Sequence, residues 1–153
     1  MQITRTDSRD TRFRQLAAAL EDELRLRDGE SANERALVNE IGFLPCAIVA
    51  TVNHEPIACG AFHMLSADRM EIKRMFVVPA FRRRSAATIV LKAIEQWAIE
   101  MGFQRSLLET GLNQPEAIAF YQRNGYQQIP LFGAYIANEN SICFEKKLDP
   151  KTI

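Results

Sequence analysis

Apolar residues at Phe13, Leu16, Ala17, Leu20 and Leu24 recur every three or four positions, which is the spacing of one helix face, until Asp28-Gly29 interrupts them. A longer stripe, Ile89, Val90, Ala93, Ile94, Trp97, Ala98 and Met101, predicts a helix over Ser85–Met101, with Gly102 placed for a C-terminal stop. Pro115 opens a third helix, whose first turn does not need the missing amide donor, and Gly125 ends it after Asn124. Ala32–Glu40 carries a weaker helical pattern closed by Gly42. Between these lie runs rich in β-branched and other apolar residues: Gln2–Thr6, Pro45–Val52, Ile57–Leu65, Arg69–Val78, Arg105–Thr110, Tyr126–Ile129 and Ser141–Lys147. The Asn53–Pro56 turn joins the second and third of them, Pro79 closes the fourth, and the three together read as an antiparallel meander. A polar loop containing Gly133, Tyr135 and Asn138 separates the last two.

No linker or internal repeat interrupts this order, and 153 residues suit one hydrophobic core, so a single domain over residues 1–153 is expected. With 47% hydrophobic and 25% charged residues the composition excludes a disordered or fibrous chain. Nineteen basic and nineteen acidic side chains leave no net charge, so no global field draws the molecule to nucleic acid or an anionic membrane. Cys46, Cys59 and Cys143 are widely spaced within apolar runs, which predicts buried free thiols, not a zinc or redox motif. His54 and His63 have no acidic or cysteine neighbours at metal-ligand spacing, and no serine sits in a G-x-S-x-G turn. The sequence carries neither a basic leader with an apolar segment nor eighteen consecutive apolar residues, so a cytoplasmic location without membrane spanning is expected.

Candidate chemistry begins in RMFVVPAFRRRSAATIVLKAIEQWA, Arg74–Ala98, where an apolar strand leads through a basic turn and small residues into the long helix. Amides in a helix's first turn lack intrahelical partners and sit at the positive end of its dipole, so phosphate can approach them where side chains are small. Ser85, Ala86, Ala87 and Thr88 are small, while Arg82, Arg83 and Arg84 add guanidinium forks; a solvated basic loop is the other reading. This stretch resembles the helix start R/Q-x-x-G-x-G/A of the GNAT superfamily of acyl-CoA-dependent N-acetyltransferases, with Arg82 at the first position and Ala87 at the last. Ser85 stands where glycine is usual, and Arg83 replaces a frequent glycine. A second block, LLETGLNQPEAIAFYQRNGY from Leu107 to Tyr126, is similar to the superfamily's F/L-Y-x-x-x-G-F/Y segment through Phe120, Tyr121, Gly125 and Tyr126. The closing FEKKL from Phe144 resembles the last strand of one bacterial branch.

The resemblance implies an α+β fold: a mixed, mostly antiparallel central sheet flanked by helices in α/β/α layers, splayed near its fourth strand. Acetyl-CoA would be the acyl donor, with Met75, Phe76 and Val77 offering backbone to its pantetheine and Gln114 standing where relatives carry a coenzyme-bonding asparagine. Transfer to a primary amine requires a neutral nucleophile, yet an alkylammonium with pKa about 10.4 is rarely deprotonated at pH 7. Glu71, expected to alternate onto one strand face with Lys73 and Met75, is a candidate base; Glu109 is a second and solvent a third. A phenol is protonated at neutral pH, and the resemblance makes Tyr121 the acid that protonates the leaving thiolate. A strand amide near Phe76 would meet the oxyanion. Tyr135 and Ser141 are expected along the acceptor pocket, with the helices of Thr11–Glu40 forming its other wall. A small-molecule amine is the expected partner. A protein or peptide acceptor, a non-catalytic acyl-CoA-binding module and nucleic-acid contact through Arg82–Arg84 are the alternatives, and the C-terminal edge strands are compatible with a homodimer.

Overall fold

The computed structural model describes residues 1–29 and 42–152, and in chain order runs β1 (Gln2–Thr6), α1 (Thr11–Asp28), β2 (Cys46–Val52), β3 (Glu55–Met64), β4 (Arg69–Val77), α2 (Ala86–Glu100), β5 (Arg105–Gly111), α3 (Pro115–Arg123), β6 (Gln127–Ile129) and β7 (Ser141–Lys147). The helix expected over Ala32–Glu40 lies outside the described residues. Short 3₁₀ turns follow β4, at Pro79–Phe81, and precede β7, at Gly133–Ala137. Elsewhere the expected elements stand within a residue or two of their observed bounds, β3 beginning two residues early because Glu55 and Pro56 already pair with Val52 and Thr51.

Among the described residues the strands form one sheet in the order β1-β2-β3-β4-β5-β7-β6, antiparallel except where β4 meets β5. Its interior strands are buried on both faces, which is why β2 reads CAIVATV without a polar alternation. Cys46, Ile48 and Ala50 face the layer containing α2 and α3, whereas Ala47 and Val49 face α1. Helix α2 buries Val90, Leu91, Ile94 and Ala98 on the first face, and α1 buries Phe13 and Leu16 on the second. Cys46, Cys59 and Cys143 are free thiols, all buried. Among the described residues no helix is long and apolar enough to cross a membrane.

Helix α1 is started by Asp10, whose carboxylate accepts the Arg12 amide at 2.9 Å and the Arg12 guanidinium at 2.8 Å. The Arg12 hydrogen bond draws the Asp10 carboxyl down to about 2 from its ordinary 3.8. A carboxyl depressed on folding contributes stability that is complete above its unfolded value and lost as pH falls through its folded one. Asp10→Ala should therefore cost about 1 kcal/mol at neutral pH. Acid titration followed by circular dichroism should show that difference from the parent shrinking as pH falls from about 3.8 toward 2. A difference that stays constant over that interval would deny the cap its electrostatic part.

Two features of β4 position the site. First, it pairs with β5 only over Arg69–Glu71 against Arg105–Leu107, after which the two parallel strands have no further register partners. The sheet splays there. Second, β4 carries an extra residue: Cys59 of β3 stands opposite Phe76 and Ala61 opposite Lys73, so two steps on β3 match three on β4. Arg74 takes φ 60° within this bulge, and its carbonyl accepts the Cys59 thiol at 3.3 Å. The expectation that Glu71, Lys73 and Met75 share one face fails for this reason. Glu71 and Lys73 face the α1 side with Ala61, while Met75 is turned to the α2 side above Gly60. A Cβ at Gly60 would lie 2.5 Å from the Met75 sulfur and 2.7 Å from Ile94 Cδ1, so glycine makes room for the reversed side chain.

Candidate active site

The splay opens into a cavity of about 1040 Å³ walled by β4 beyond Glu71, the end of β5, the start of α2, α3 and the last two turns of α1. Met75, Phe76, Val77, Arg82, Arg83, Ser85, Ala86, Ala87, Thr88, Gln114 and Tyr121, all expected at the site from sequence, are brought together on this wall. Glu71, Arg84, Tyr135 and Ser141 are not on the described wall.

At one end lies the amino terminus of α2. Ser85 is its cap residue with φ 67°, ψ 3°, and Arg83 has φ 64°. Ser85 stands at the glycine of the motif the turn resembles and Arg83 where glycine is frequent, and left-handed backbone is the physical reason: only glycine adopts it without a Cβ penalty. Serine here makes no side-chain cap hydrogen bond. Ser85→Gly should thus raise stability by about 0.5–1 kcal/mol, the relieved strain exceeding the added chain entropy. Urea unfolding of the two proteins measures this, and a less stable glycine variant would contradict it.

The arginines of the turn differ in use. Arg82 is engaged by protein: its terminal nitrogens donate to Glu23 at 2.6 and 2.8 Å, and its Nε donates to the Val77 carbonyl at 2.9 Å. The pairing holds the Glu23 carboxyl below its usual range. Arg84 lies over the Phe81 ring, 5.9 Å from its centroid. Arg83 is exposed on the cavity wall. Glu23 also pairs with Arg27 at 3.5 Å, and Arg27 donates to the Gln114 side-chain oxygen at 2.9 Å. Helix α1 is in this way fastened to both banks of the cleft, the turn before α2 and the start of α3.

At the other end, Tyr121 of α3 is 7% exposed. Its hydroxyl has no hydrogen-bond partner among the described residues, yet it is not a sealed orphan, so it opens onto the cavity it lines. Burial, and then the charge of Glu109, pushes this phenol well above its ordinary value, so it holds its proton at neutral pH.

On the α1 side of the sheet, polar groups gather where the flanking strands are otherwise apolar. The Glu71 carboxylate accepts His63 Nε2 at 2.9 Å and the Tyr135 hydroxyl at 2.7 Å, and its Oε2 lies 3.3 Å from Lys73 Nζ. Lys73 in turn donates to the Tyr135 hydroxyl. Burial raises the Glu71 carboxyl, but His63, Lys73 and Tyr135 together outweigh it and the net displacement is downward. Burial lowers the Lys73 ammonium against the pull of Glu71. Ser141 Oγ donates to Glu109 Oε2 at 2.5 Å. Tyr135 and Ser141, expected along the acceptor pocket, are buried and stand off the described wall, and within the segment read as a polar loop Gly133–Ala137 forms a 3₁₀ turn whose one buried residue is Tyr135. Lys73 and Glu109 do line the cavity. The sequence carried one signal for both: a charged residue on a strand where burial on both faces is expected. Among the described residues no group of three His, Cys, Asp or Glu side chains is arranged to hold a metal.

Comparison with known proteins agrees with this geometry. The Acetyltransferase (GNAT) family model matches residues 12–126. The chain is 34% identical over 102 residues to an IAA acetyltransferase of Azospirillum brasilense, covering 66% of this chain and 67% of that protein. A Klebsiella pneumoniae protein whose crystal structure is assigned to the acyl-CoA N-acyltransferases superposes with TM-score 0.79 at 30% identity, over 97% of this chain and 99% of that one. A GNAT family acetyltransferase of Elizabethkingia anophelis, solved with acetyl-CoA bound, shares the fold at TM-score 0.60 and 19% identity, over 82% and 88% of the two chains. The splayed β4–β5 junction, the small-residue start of α2 and the tyrosine of α3 thus stand in a chain that belongs to the GNAT acetyltransferase family and is an acyltransferase.

Proposed function

We propose that the protein moves an acetyl group from acetyl-CoA to a primary amine of a small molecule, directly and within a ternary complex. The observation that carries this reading is one cavity that joins a small-residue helix start to a cavity-facing phenol through a strand edge released from pairing. Acetyl-CoA is a substrate here. The fit to its diphosphate lies in the first-turn amides of α2, where Ala86, Ala87 and Thr88 present little side chain and Arg83 adds positive charge. The edge of β4 from Met75 to Val77 would pair with the pantetheine arm, and an amide near Phe76 would meet the oxyanion of the tetrahedral intermediate. Tyr121 would protonate the sulfur as the carbon–sulfur bond breaks. Gln114, whose side-chain oxygen already accepts from Arg27, would reach the coenzyme through its remaining hydrogen-bonding capacity.

Among the described residues no cysteine lies on the cavity wall to serve as an acyl carrier, which supports direct transfer. A panel of alkylamines, diamines, amino alcohols and amino acids, incubated with acetyl-CoA and followed by thiol release, tests the reading. Turnover with at least one small amine supports it; release only with peptides ending in a free amine would replace the acceptor class.

A further inference from the structure

The turn that leads into α2 is held in a conformation its own residues resist. Arg83 and Ser85 both take left-handed backbone, at φ 64° and 67°, where a Cβ is penalised, and Ser85 gives no side-chain cap hydrogen bond in return. A strained turn of this kind persists where surrounding groups fix it. Arg82, the residue just before, supplies the fixing. Its terminal nitrogens donate to Glu23 at 2.6 and 2.8 Å, its Nε donates to the Val77 carbonyl at 2.9 Å, and its guanidinium lies 5.5 Å from the centroid of the Phe76 ring. The guanidinium is thereby tied to the end of β4 on one side and to α1 on the other. Glu23 comes from a helix that is itself anchored: Leu20, one turn earlier on the same face, packs against the cluster that contains Phe13 and Leu16. Exposed ion pairs contribute little, but this one is a two-pronged fork between side chains that are only 32% and 26% exposed.

Resting on the reading of that turn as the diphosphate's seat, we propose that Glu23 is a positioning residue for the acyl donor: through Arg82 it holds the first-turn amides of α2 in the arrangement that receives the phosphates. Glycine at positions 83 and 85 would let the backbone adopt left-handed φ unaided. With arginine and serine there the same φ is costly, so a turn cut from its anchor leaves that conformation most of the time. Apparent affinity for the donor then falls by the fraction of molecules that stay competent. Arg82 acts on protein and not on the donor in this arrangement, its fork occupied by Glu23 and its Nε by the Val77 carbonyl. Electrostatics alone predicts the reverse. Deleting Glu23 removes a negative charge and releases a positive one beside a polyanion, which should tighten binding. The two expectations have opposite signs, so the measured affinity decides between them.

The test uses the full chain as Glu23→Ala, alone and combined with Ser85→Gly, titrated calorimetrically with acetyl-CoA. Glu23→Ala should weaken acetyl-CoA about tenfold or more. Adding Ser85→Gly should recover about fivefold of that loss, against a gain of about twofold in the parent, whose turn is already held. A merely structural glutamate would not give that non-additivity. Should Glu23→Ala fail to fold, Glu23→Gln carries the same comparison: it keeps one acceptor for the fork and should weaken acetyl-CoA about threefold. S-acetylpantetheine, which has no diphosphate, is the second ligand; the parent should bind it less tightly than acetyl-CoA, and Glu23→Ala should narrow the gap. A Glu23→Ala protein that binds acetyl-CoA as well as the parent does, or better, while the parent still prefers acetyl-CoA to S-acetylpantetheine, overturns the positioning role and leaves the diphosphate seat intact. A loss that Ser85→Gly does not relieve also counts against the role. A parent without that preference overturns both.

Discussion

Replacing Tyr121 by phenylalanine should lower turnover about a hundredfold or more while leaving acetyl-CoA affinity nearly unchanged. The change removes one oxygen from a ring packed edge-on against Phe120 and Tyr126, at centroid distances of 5.2 and 5.7 Å, so the packing survives. What is lost is the proton offered to the thiolate, and a hundredfold corresponds to about 2.7 kcal/mol of transition-state stabilisation. The deficit should appear in kcat more than in KM, because the hydroxyl acts after both substrates are bound. The measurement is steady-state thiol release across acceptor concentrations. Turnover equal to that of the parent would remove Tyr121 from the chemistry.

The second large effect concerns stability. Glu95, in the middle of α2 and 2% exposed, accepts the Tyr126 hydroxyl at 2.8 Å and Lys146 Nζ at 3.0 and 3.1 Å. Tyr126 shares a further hydrogen bond of 2.8 Å with the buried Ser106. The cluster ties α2 to β5, β7 and the segment after α3, and of these α2 and β5 also border the cleft. Removing one member leaves the others buried and under-satisfied, so Glu95→Ala should cost about 3 kcal/mol, moderated by the partial exposure of Lys146. For a chain of this size that lowers the melting temperature by about 6–12 °C. Thermal and urea unfolding of the variant measure it. A loss under about 0.5 kcal/mol would show that the network is not a significant support.

The outline of the fold was legible because strand and helix periods are strong where the core demands them. The stripe from Ile89 to Ala98 placed α2, and the continuous apolar run of Cys46–Val52 placed a strand covered on both faces. What the period concealed was an exception to it. One residue at Arg74 with positive φ shifts the phase of β4, so that alternation counted from Glu71 sends Met75 to the wrong face. Arginine is not a residue from which positive φ is read, and the compensating Gly60 lies on another strand. Glu95 carries its own signal in the sequence: it lies four residues after Leu91 and three before Ala98, on the stripe that packs inward. Tyr135 and Ser141 stand off the cavity wall because their partners Glu71 and Glu109 come from strands distant in sequence. The same non-local pairing explains Arg82, whose Glu23 partner on α1 no local motif announces.

The central claim is that the first turn of α2 receives the diphosphate of the acyl donor. A crystal of the protein grown with coenzyme A measures this most directly. The account predicts diphosphate oxygens within hydrogen-bond distance of the amides between Ser85 and Thr88, with pantetheine lying along Met75–Val77. Coenzyme bound elsewhere, with that turn closed by the Arg82 and Arg83 side chains, would contradict it.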